Sequence, residues 1–307
     1  MRGKANAQRG GHGLALNESR PAWLPAAPFL FVLLWSGGFT AVKLALPYAD
    51  ALTLQVVRYL CVVAILLPLW LWLRPPRPDR PTLRHLIRMG LVVQFGYFAA
   101  MNLGQQFGMG PGAIALIIGL QPVVVALLAP FVTGDPPVGP RGWVGLGLGL
   151  AGAAMVILSG SGLQAGGWLG LFFSVLALGL MAAGALMERR GGRPCHLVTA
   201  NLIMCGVGLL ATLPLALTFE TLRVDWSWPF AAGLAYLVLV NSLVSLSLLF
   251  LMLRHGEAAR ASTVFFLVPP VAAAIAWVVL DAAMTPLAIA GTVVAAAGVA
   301  LVALRRG

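Results

Sequence analysis

Polar side chains and one methionine recur along one face of an apolar stretch, residues 86–106. Successive members are separated by three, four and four residues, the spacing that places side chains on one side of a helix. They are Gln94, Tyr97, Met101 and Gln105. Amide and hydroxyl groups both donate and accept hydrogen bonds, so such a face suits a polar solute that has no fixed counter-charge.

A second polar face lies in a later apolar stretch, residues 230–253. Its members are Asn241, Ser242, Ser245 and Ser247. An offset of 148 residues takes Gln94 to Ser242 and Tyr97 to Ser245. Polar groups within a membrane usually face a cavity or another helix. Two interpretations therefore stay open: a shared cavity, or hydrogen bonds between helices, worth about 0.6 kcal/mol each on average.

Further candidate residues lie in two other apolar stretches. The Trp35 side chain is apolar apart from one hydrogen-bond donor, the indole N–H, and Ser36 follows it directly. Gln121 precedes Pro122, where a carbonyl loses its helical partner, so Gln121 satisfies either that carbonyl or a solute. The predicted substrate-binding residues are Trp35, Ser36, Gln94, Tyr97, Gln121, Asn241 and Ser245.

Two prolines interrupt apolar segments at matching places, because Pro122 and Pro270 are 148 residues apart. Apolar segments broken by proline in corresponding halves of a chain indicate the binding site of a transporter. We therefore expect Pro122 and Pro270 to act as hinges.

Lys43 and Arg58 are the two basic residues that fall within apolar spans, on either side of a short loop that carries Asp50. Long basic side chains near the ends of membrane helices extend toward water, so the sequence predicts snorkelling and an ion pair with Asp50. The alternative is a cationic mouth that meets a carboxylate or phosphate of the solute.

The composition explains why these residues must lie in a membrane. Of 307 residues, 60% are hydrophobic and 9% are charged, whereas soluble domains have about 25% charged residues. Lipid offers no partner for open backbone, so the sequence predicts an all-α polytopic membrane protein. The net charge of +11 comes from short basic runs between apolar spans, which indicates membrane topology rather than nucleic-acid binding. The three cysteines have no metal or disulfide spacing, and no metal or cofactor is expected.

Ten transmembrane helices are predicted after a disordered basic N-terminal tail, residues 1–24. Their ranges are 28–46, 53–73, 86–106, 113–133, 143–159, 167–187, 197–218, 230–253, 261–280 and 286–304. With the N-terminus inside, 17 Lys and Arg residues fall in cytoplasmic segments and only Arg223 falls outside, which predicts two cytoplasmic termini. If the first span were instead a cleaved signal peptide, nine spans would remain.

The chain divides into two halves of five spans each, residues 25–160 and 161–307. Five is an odd number, so the second half enters the membrane from the opposite side, and the halves form an inverted repeat. The fifth and tenth spans carry small residues four apart, at Gly145 and Gly149 and at Gly291 and Ala295. Such faces allow close packing, within one chain or in a homodimer; a monomer is the main expectation.

One block of sequence and its later echo have a familiar form. The block is AIALIIGLQPVVVALLAPFVTGDPPVGPRGWVGLGLGLAGAAMVI, its echo runs from Ala261 to Val302, and LLWSGGFTAVKLAL and Arg58 also fit. In these features residues 28–304 resemble the EamA-type transporters of the drug/metabolite transporter (DMT) superfamily. The family usually has a glutamate after the fourth and ninth spans. Asp135 and Asp281 are shifted replacements here, so no role is transferred to them.

The resemblance implies ten helices in two inverted repeats, with a central cavity lined mainly by spans one, three, four, six, eight and nine. It implies alternating-access transport of small metabolites, commonly amino acids or related compounds and often outward, in the bacterial inner membrane. The sequence has no acidic residue in the predicted membrane interior, so a carboxylate proton relay is not expected.

Other functions were weighed against transport of metabolites. A flippase for lipid-like substrates and a proton-coupled drug or metabolite antiporter remain alternatives. A channel lacks a ring of charge or a repeated filter. An intramembrane serine protease needs a serine within reach of a histidine, but the four histidines lie in predicted loops or at span ends, so no catalytic residue is predicted. They are His12, His85, His196 and His255.

Overall fold

A computed structural model describes most of the chain. The described ranges are 27–134, 139–158, 167–245, 248, 268–281 and 285–303. The predicted disordered tail, Asp135, the inter-repeat loop 159–166 and the first part of the predicted ninth span lie outside them.

Helices account for nearly all of the described residues. They are α1 (Ala27–Ala45), α2 (Ala51–Leu73), α3 (Arg80–Gln106), α4 (Pro111–Val132), α5 (Pro140–Leu158), α6 (Gly167–Gly191), α7 (Leu197–Phe219), α8 (Trp228–Ser245), α9 (Val268–Leu280) and α10 (Pro286–Ala303). Within the described ranges β pairing is limited to one isolated bridge, between Ala49 and Val224. The predicted all-α class is confirmed for this part of the chain.

Six helices, α2, α3, α4, α6, α7 and α8, are long and apolar enough to cross a membrane. Crossing about 30 Å of hydrocarbon takes roughly 20 residues in a helix. The shorter apolar helices are Phe29–Ala45, Val268–Leu280 and Pro286–Gly298. The described residues thus form a multi-span helical bundle, whereas ten crossings stay a prediction.

Helix packing follows the same pattern in the two halves of the chain. The packed pairs α2 with α7 and α5 with α10 each join corresponding helices of the two halves. The pair α3 with α6 corresponds to α8 with α1, and the pair α4 with α6 corresponds to α9 with α1; all four pairs are in contact. These packed pairs are exchanged with one another when the first five helices are exchanged with the last five, as expected for two repeats of one unit.

The two halves also share a local irregularity. Helix α3 adopts π-helical geometry over Gly90–Tyr97, and α8 does so over Tyr236–Ser245. The offset of 148 residues takes 90–97 onto 238–245, within the second π segment. π-Helices are rare and often occur at functional sites. Both predicted polar faces begin inside these segments.

Helix α4 is broken near its middle. Regular helix ends at Gly119 and resumes at Gln121, and the Leu120 N–H donates to the Ile117 carbonyl at 3.1 Å. Pro122 has no N–H, so the carbonyl four residues earlier loses its helical donor. A methyl group on Gly119 would lie 2.7 Å from Cγ of Pro269, so glycine is needed there. The break in α4 thus packs directly against the prolines of α9.

The small-residue faces of α5 and α10 pack against each other within the chain. A methyl group on Gly152 would lie 2.4 Å from the Gly291 carbonyl oxygen, and one on Gly298 would lie 2.6 Å from the Gly145 carbonyl oxygen. Only glycine allows the two backbones to approach so closely. These faces are therefore occupied by an intrachain contact, as in the first of the two predicted alternatives.

The N-terminus of α2 is held by side chains from two other helices. The Glu220 carboxylate, just after α7, accepts hydrogen bonds from the Leu52 N–H at 2.9 Å and from the Thr53 N–H and hydroxyl at 2.6 and 2.7 Å. Gln106, at the end of α3, accepts from the Ala51 N–H at 2.6 Å. A carboxylate satisfies the free N–H groups of a helix start and is stabilised by the helix dipole. The ends of α3 and α7 are thereby fastened to α2.

We expect Glu220→Ala to destabilise the protein, because two backbone donors and one hydroxyl lose their charged acceptor. Hydrogen bonds to charged groups contribute about 1.5–3 kcal/mol, so the melting temperature in detergent should fall by several degrees. Glu220→Gln, which keeps one acceptor oxygen, should lie between wild type and alanine. Asp225→Asn is the matched control, since Asp225 is an exposed acid in the same loop. Equal melting temperatures for Glu220→Ala and Asp225→Asn would contradict this role.

Candidate functional site

A buried arginine lies between α2 and α8. Arg58 is only 2% exposed. Its Nε donates to the Ser242 hydroxyl at 2.9 Å, and its Nη2 donates to Oδ1 of Asn241 at 2.9 Å. The guanidinium carbon lies 4.4 Å from the centre of the Phe98 ring, a favourable cation–π distance. In the described part of the chain no Asp or Glu forms an ion pair with Arg58.

This position corrects the interpretation of Arg58 as a snorkelling side chain paired with Asp50. The Asp50 carboxylate instead accepts from Gln106 Nε2 at 3.4 Å. Arg58 turns inward because α8 presents two oxygen acceptors, which accept from its Nε and Nη2. Lys43, near the end of α1, is partly exposed.

Four helices enclose a small cavity around the guanidinium, which we call the arginine cavity. Its lining residues are Trp35, Gly38 and Phe39 of α1, Arg58 of α2, Tyr97, Phe98 and Met101 of α3, and Leu237 and Asn241 of α8. The centre of a water molecule has about 10 Å³ in which to move. This is close to the smallest space that holds one water, so the cavity has no room for a larger solute in this conformation.

Tyr97 contributes an unpaired polar group to the arginine cavity. Its side chain is 1% exposed, and its hydroxyl has no hydrogen-bond partner among the described residues. Its ring is held by Phe98, with the two ring centres 4.7 Å apart. A buried hydroxyl without a partner costs about 1–3 kcal/mol. A polar group that entered the cavity would find this hydroxyl ready to donate or accept.

A second cavity, the proline cavity, adjoins the first. It is lined by Trp35 and Phe39 of α1, Ile118, Gly119, Gln121 and Pro122 of α4, Met181 of α6 and Val268 of α9. Its free space is also about 10 Å³. Trp35 and Phe39 line both cavities, so they form the partition between them. The Ser36 hydroxyl donates to the Val268 carbonyl at 3.3 Å, which ties α1 to the wall of the proline cavity.

Like Ser36, two further predicted binding residues line neither cavity. The backbone carbonyl of Gln94 accepts from Gln55 Nε2 at 2.9 Å, and its side-chain oxygen accepts from the Tyr59 hydroxyl at 3.0 Å. Gln55 also donates to the Thr212 hydroxyl at 3.1 Å, so this network joins α2, α3 and α7. The Ser245 hydroxyl donates to the Val240 carbonyl of its own helix at 2.9 Å. For these two side chains the described contacts match the alternative prediction, hydrogen bonding within the helical framework.

The structure therefore brings three predicted residues, Trp35, Tyr97 and Asn241, together around Arg58. It places Gln121 and Pro122 in the adjoining proline cavity, with Ser36 bonded to its wall. Pro270 lies in the first turn of the described part of α9, next to the proline that packs on Gly119.

The sequence analysis did not predict the aromatic walls of the arginine cavity or the glycines that allow α8 to pack close to α1. Phe39 and Phe98 are not among the predicted binding residues, because an aromatic residue in an apolar span has no distinguishing pattern. Gly38 had a signal, since it lies in the WSGG run beside Trp35. A methyl group on Gly38 would lie 2.6 Å from Nδ2 of Asn241, and one on Gly37 would overlap the Tyr236 hydroxyl. This glycine pair lets the polar face of α8 approach α1.

Comparisons with known proteins cover both halves of the chain. Residues 23–158 and 168–304 each match the EamA-like transporter family. A Salmonella typhimurium protein described as "Probable amino-acid metabolite efflux pump" is 26% identical over 280 residues, 88% of this chain and 91% of its own. Bacillus subtilis "Uncharacterized transporter YdeK" is 27% identical over 261 residues, 83% of this chain and 87% of its own. Synechocystis "Uncharacterized transporter sll0355" is 27% identical over 287 residues, 85% of this chain and 83% of its own.

A solved crystal structure has the same fold. It superposes on 92% of this chain and 99% of its own chain with a TM-score of 0.66, at 18% sequence identity. The helical arrangement described above is therefore shared with a protein of very different sequence.

We expect Gly38→Ala to lower the melting temperature in detergent by several degrees. The added methyl group would press on the amide that accepts from Arg58, and overpacking of a well-packed interior costs about 1–3 kcal/mol. The matched control is Gly179→Ala in α6, where a methyl group would meet nothing within 4 Å. That variant should be as stable as wild type or more so, because alanine favours helix. If both variants melt at the same temperature, the close approach of α1 and α8 is not as described.

Proposed function

Since the chain belongs to the EamA-like transporter family, we propose that it carries small polar or amphipathic metabolites across the membrane through a cavity between its two repeats. Amino acids or related compounds are the proposed substrates, moved outward. One observation carries this proposal: the first repeat supplies α1, α2 and α3 to the arginine cavity, and the second supplies α8. The description of the Salmonella relative as a "Probable amino-acid metabolite efflux pump" supports the choice of substrate class.

The family is one of multi-pass membrane transporters, not enzymes, and the relatives named above are bacterial. We propose ten crossings in two inverted repeats, with both termini in the cytoplasm and the chain in the inner membrane. The strongest support for this topology is the basic residues, 17 on one side against one on the other. The exchange symmetry of the helix packing supports the repeats. We further propose that residues 25–160 and 161–307 are the two repeat units and that the transporter works as a monomer.

The small size of the two cavities suggests how alternating access works. Neither holds more than about one water, so admitting a solute requires helices to move apart. Gly119, at the break in α4, contacts Pro269 of α9. Motion there would widen the proline cavity, while motion of α8 against α1 would widen the arginine cavity. Trp35 and Phe39 would keep the two cavities separate while one opens and the other stays narrow.

Side-chain roles follow from these positions. Trp35, Tyr97 and Asn241 would contact the solute directly in the arginine cavity. Gln121 would contact it in the proline cavity, where Ser36 holds the wall. Gln94 and Ser245 would act indirectly, by fixing the π segments of α3 and α8.

Transport should not require a proton gradient. Across the described ranges the acidic residues lie at helix ends or in loops, so the membrane interior offers no carboxylate relay. We expect labelled amino acids to leave purified proteoliposomes down their own gradient at equal rates with and without an imposed pH difference. Protein-free vesicles are the control. Accumulation driven by the pH difference, and abolished by neutralising one acidic residue, would instead establish proton-coupled antiport.

The hinge prediction can be tested at the break in α4. Pro122→Ala restores an N–H that can bond to the free carbonyl, so the helix should straighten and resist bending. We expect transport to slow severalfold while the melting temperature is unchanged or higher. Pro68→Ala is the matched control, because Pro68 lies inside α2 on an exposed face away from both cavities. Pro270→Ala should behave like Pro122→Ala. Normal transport rates for both would rule out the hinges.

A further inference from the structure

We propose that Arg58 binds the carboxylate of the transported solute, and that the solute is an amphipathic carboxylate whose amino group is dispensable. This inference rests on the proposed function and narrows its substrate class. It starts from a charged group that the described structure leaves partly unused.

The guanidinium of Arg58 has donors to spare. Arginine has five N–H groups, and Ser242 and Asn241 accept from two of them, on Nε and Nη2. The described residues supply no acceptor for Nη1. The edge formed by Nε and Nη2 is therefore fixed to α8, and the edge formed by Nη1 and Nη2 is left for a carboxylate. Two parallel hydrogen bonds from such an edge are the strongest way in which proteins bind a carboxylate.

The charge of Arg58 is also uncompensated. Its acceptors, an amide and a hydroxyl, are neutral, and the described residues place no carboxylate beside it. Burying a cation without a counter-ion is unfavourable, because the charge loses its hydration. An anion that entered the arginine cavity would recover part of this cost, whereas a neutral solute would not.

The other lining groups complete a site for a solute with one anionic end. The Tyr97 hydroxyl, buried and unpaired, lies in the wall of the same cavity and can donate to the second lone pair of a carboxylate oxygen. Trp35, Phe39 and Leu237 provide apolar walls for the rest of the solute. The lining includes no acidic side chain, so an ammonium group would find no ionic partner there. A single guanidinium matches one negative charge better than the two of a phosphate ester.

Binding should be measured on the purified full-length protein in detergent, by the shift in melting temperature and by tryptophan fluorescence. The probes form three series, with the side chains of alanine, leucine and phenylalanine. Each series contains the amino acid, its amide, which has no carboxylate, and the acid that lacks the amino group. For phenylalanine these are L-phenylalanine, L-phenylalaninamide and 3-phenylpropionate. We expect at least one amino acid and its desamino acid to bind with similar affinity, and the corresponding amide to bind at least tenfold more weakly.

Variants assign the effect to the guanidinium. Arg58→Lys keeps the charge but loses the paired donors, so carboxylate binding should weaken about tenfold. Tyr97→Phe should weaken carboxylate binding severalfold. Because it keeps Arg58, this variant still tests the site if Arg58→Lys does not fold. Arg74→Gln is the matched control, because Arg74 is an exposed arginine at the end of the same helix. It should bind as wild type does.

The outcomes separate this inference from the proposed function. We call the binding of the solute carboxylate by Arg58 the anchor. Three results would overturn it: equal binding of amides and acids, no binding of any carboxylate, or unchanged carboxylate binding in both Arg58→Lys and Tyr97→Phe. Transport of amides in proteoliposomes would then still leave a transporter. Conversely, carboxylate binding that depends on Arg58, in a protein that moves none of these compounds, would support the anchor and refute the proposed transport.

Discussion

The interior of this bundle is organised by the need to satisfy one buried cation. A guanidinium in an apolar helical interior must find oxygen acceptors, and Arg58 finds them on α8, in the other half of the chain. That contact requires the polar face of α8 to lie close to α1 and α2. The glycine pair of α1 gives the space, and the π segment of α8 carries both acceptors. The arginine thus links the two repeats through hydrogen bonds rather than through apolar contacts alone, which are weakly specific in lipid.

Sequence reasoning predicted the helical class, the two repeats and the polar faces, because these depend on local composition and on periodicity. It placed Arg58 wrongly because the inward turn of a side chain depends on which helix packs beside it, and lateral packing leaves no trace in one sequence. Gln94 was assigned to the cavity face from a period of 3.6 residues. Tyr97 was assigned from the same period and does line the arginine cavity, so the period alone does not separate the two residues. Gln94 differs because Gln55 and Tyr59 of the neighbouring α2 donate hydrogen bonds to it. The Ser245 hydroxyl is likewise engaged, by a carbonyl of its own helix.

The two repeats have equivalent packing but unequal chemistry. Helix α7, which corresponds to α2, has no basic residue between 197 and 219, so the charge at the centre comes from one repeat only. Conversely, the acceptors come from the other repeat. The corresponding packed pairs of the two halves agree with a two-repeat architecture. Asymmetric side chains make the two cavities chemically distinct, one with a charge and an unpaired hydroxyl, the other with an amide beside a helix break.

The π segment of α3 determines where this helix can change its length. Bonds that span five residues rather than four fit additional backbone into the same stretch of helix. Removing one residue between 90 and 97 would therefore let the segment relax to regular α-helix and would leave the helix beyond it in nearly the same orientation. Removing one residue from the regular helix Phe98–Gln106 would instead turn the residues beyond the deletion by about 100°. Descendants of this gene should therefore accept a one-residue deletion in the π segment more readily than in the regular helix that follows it.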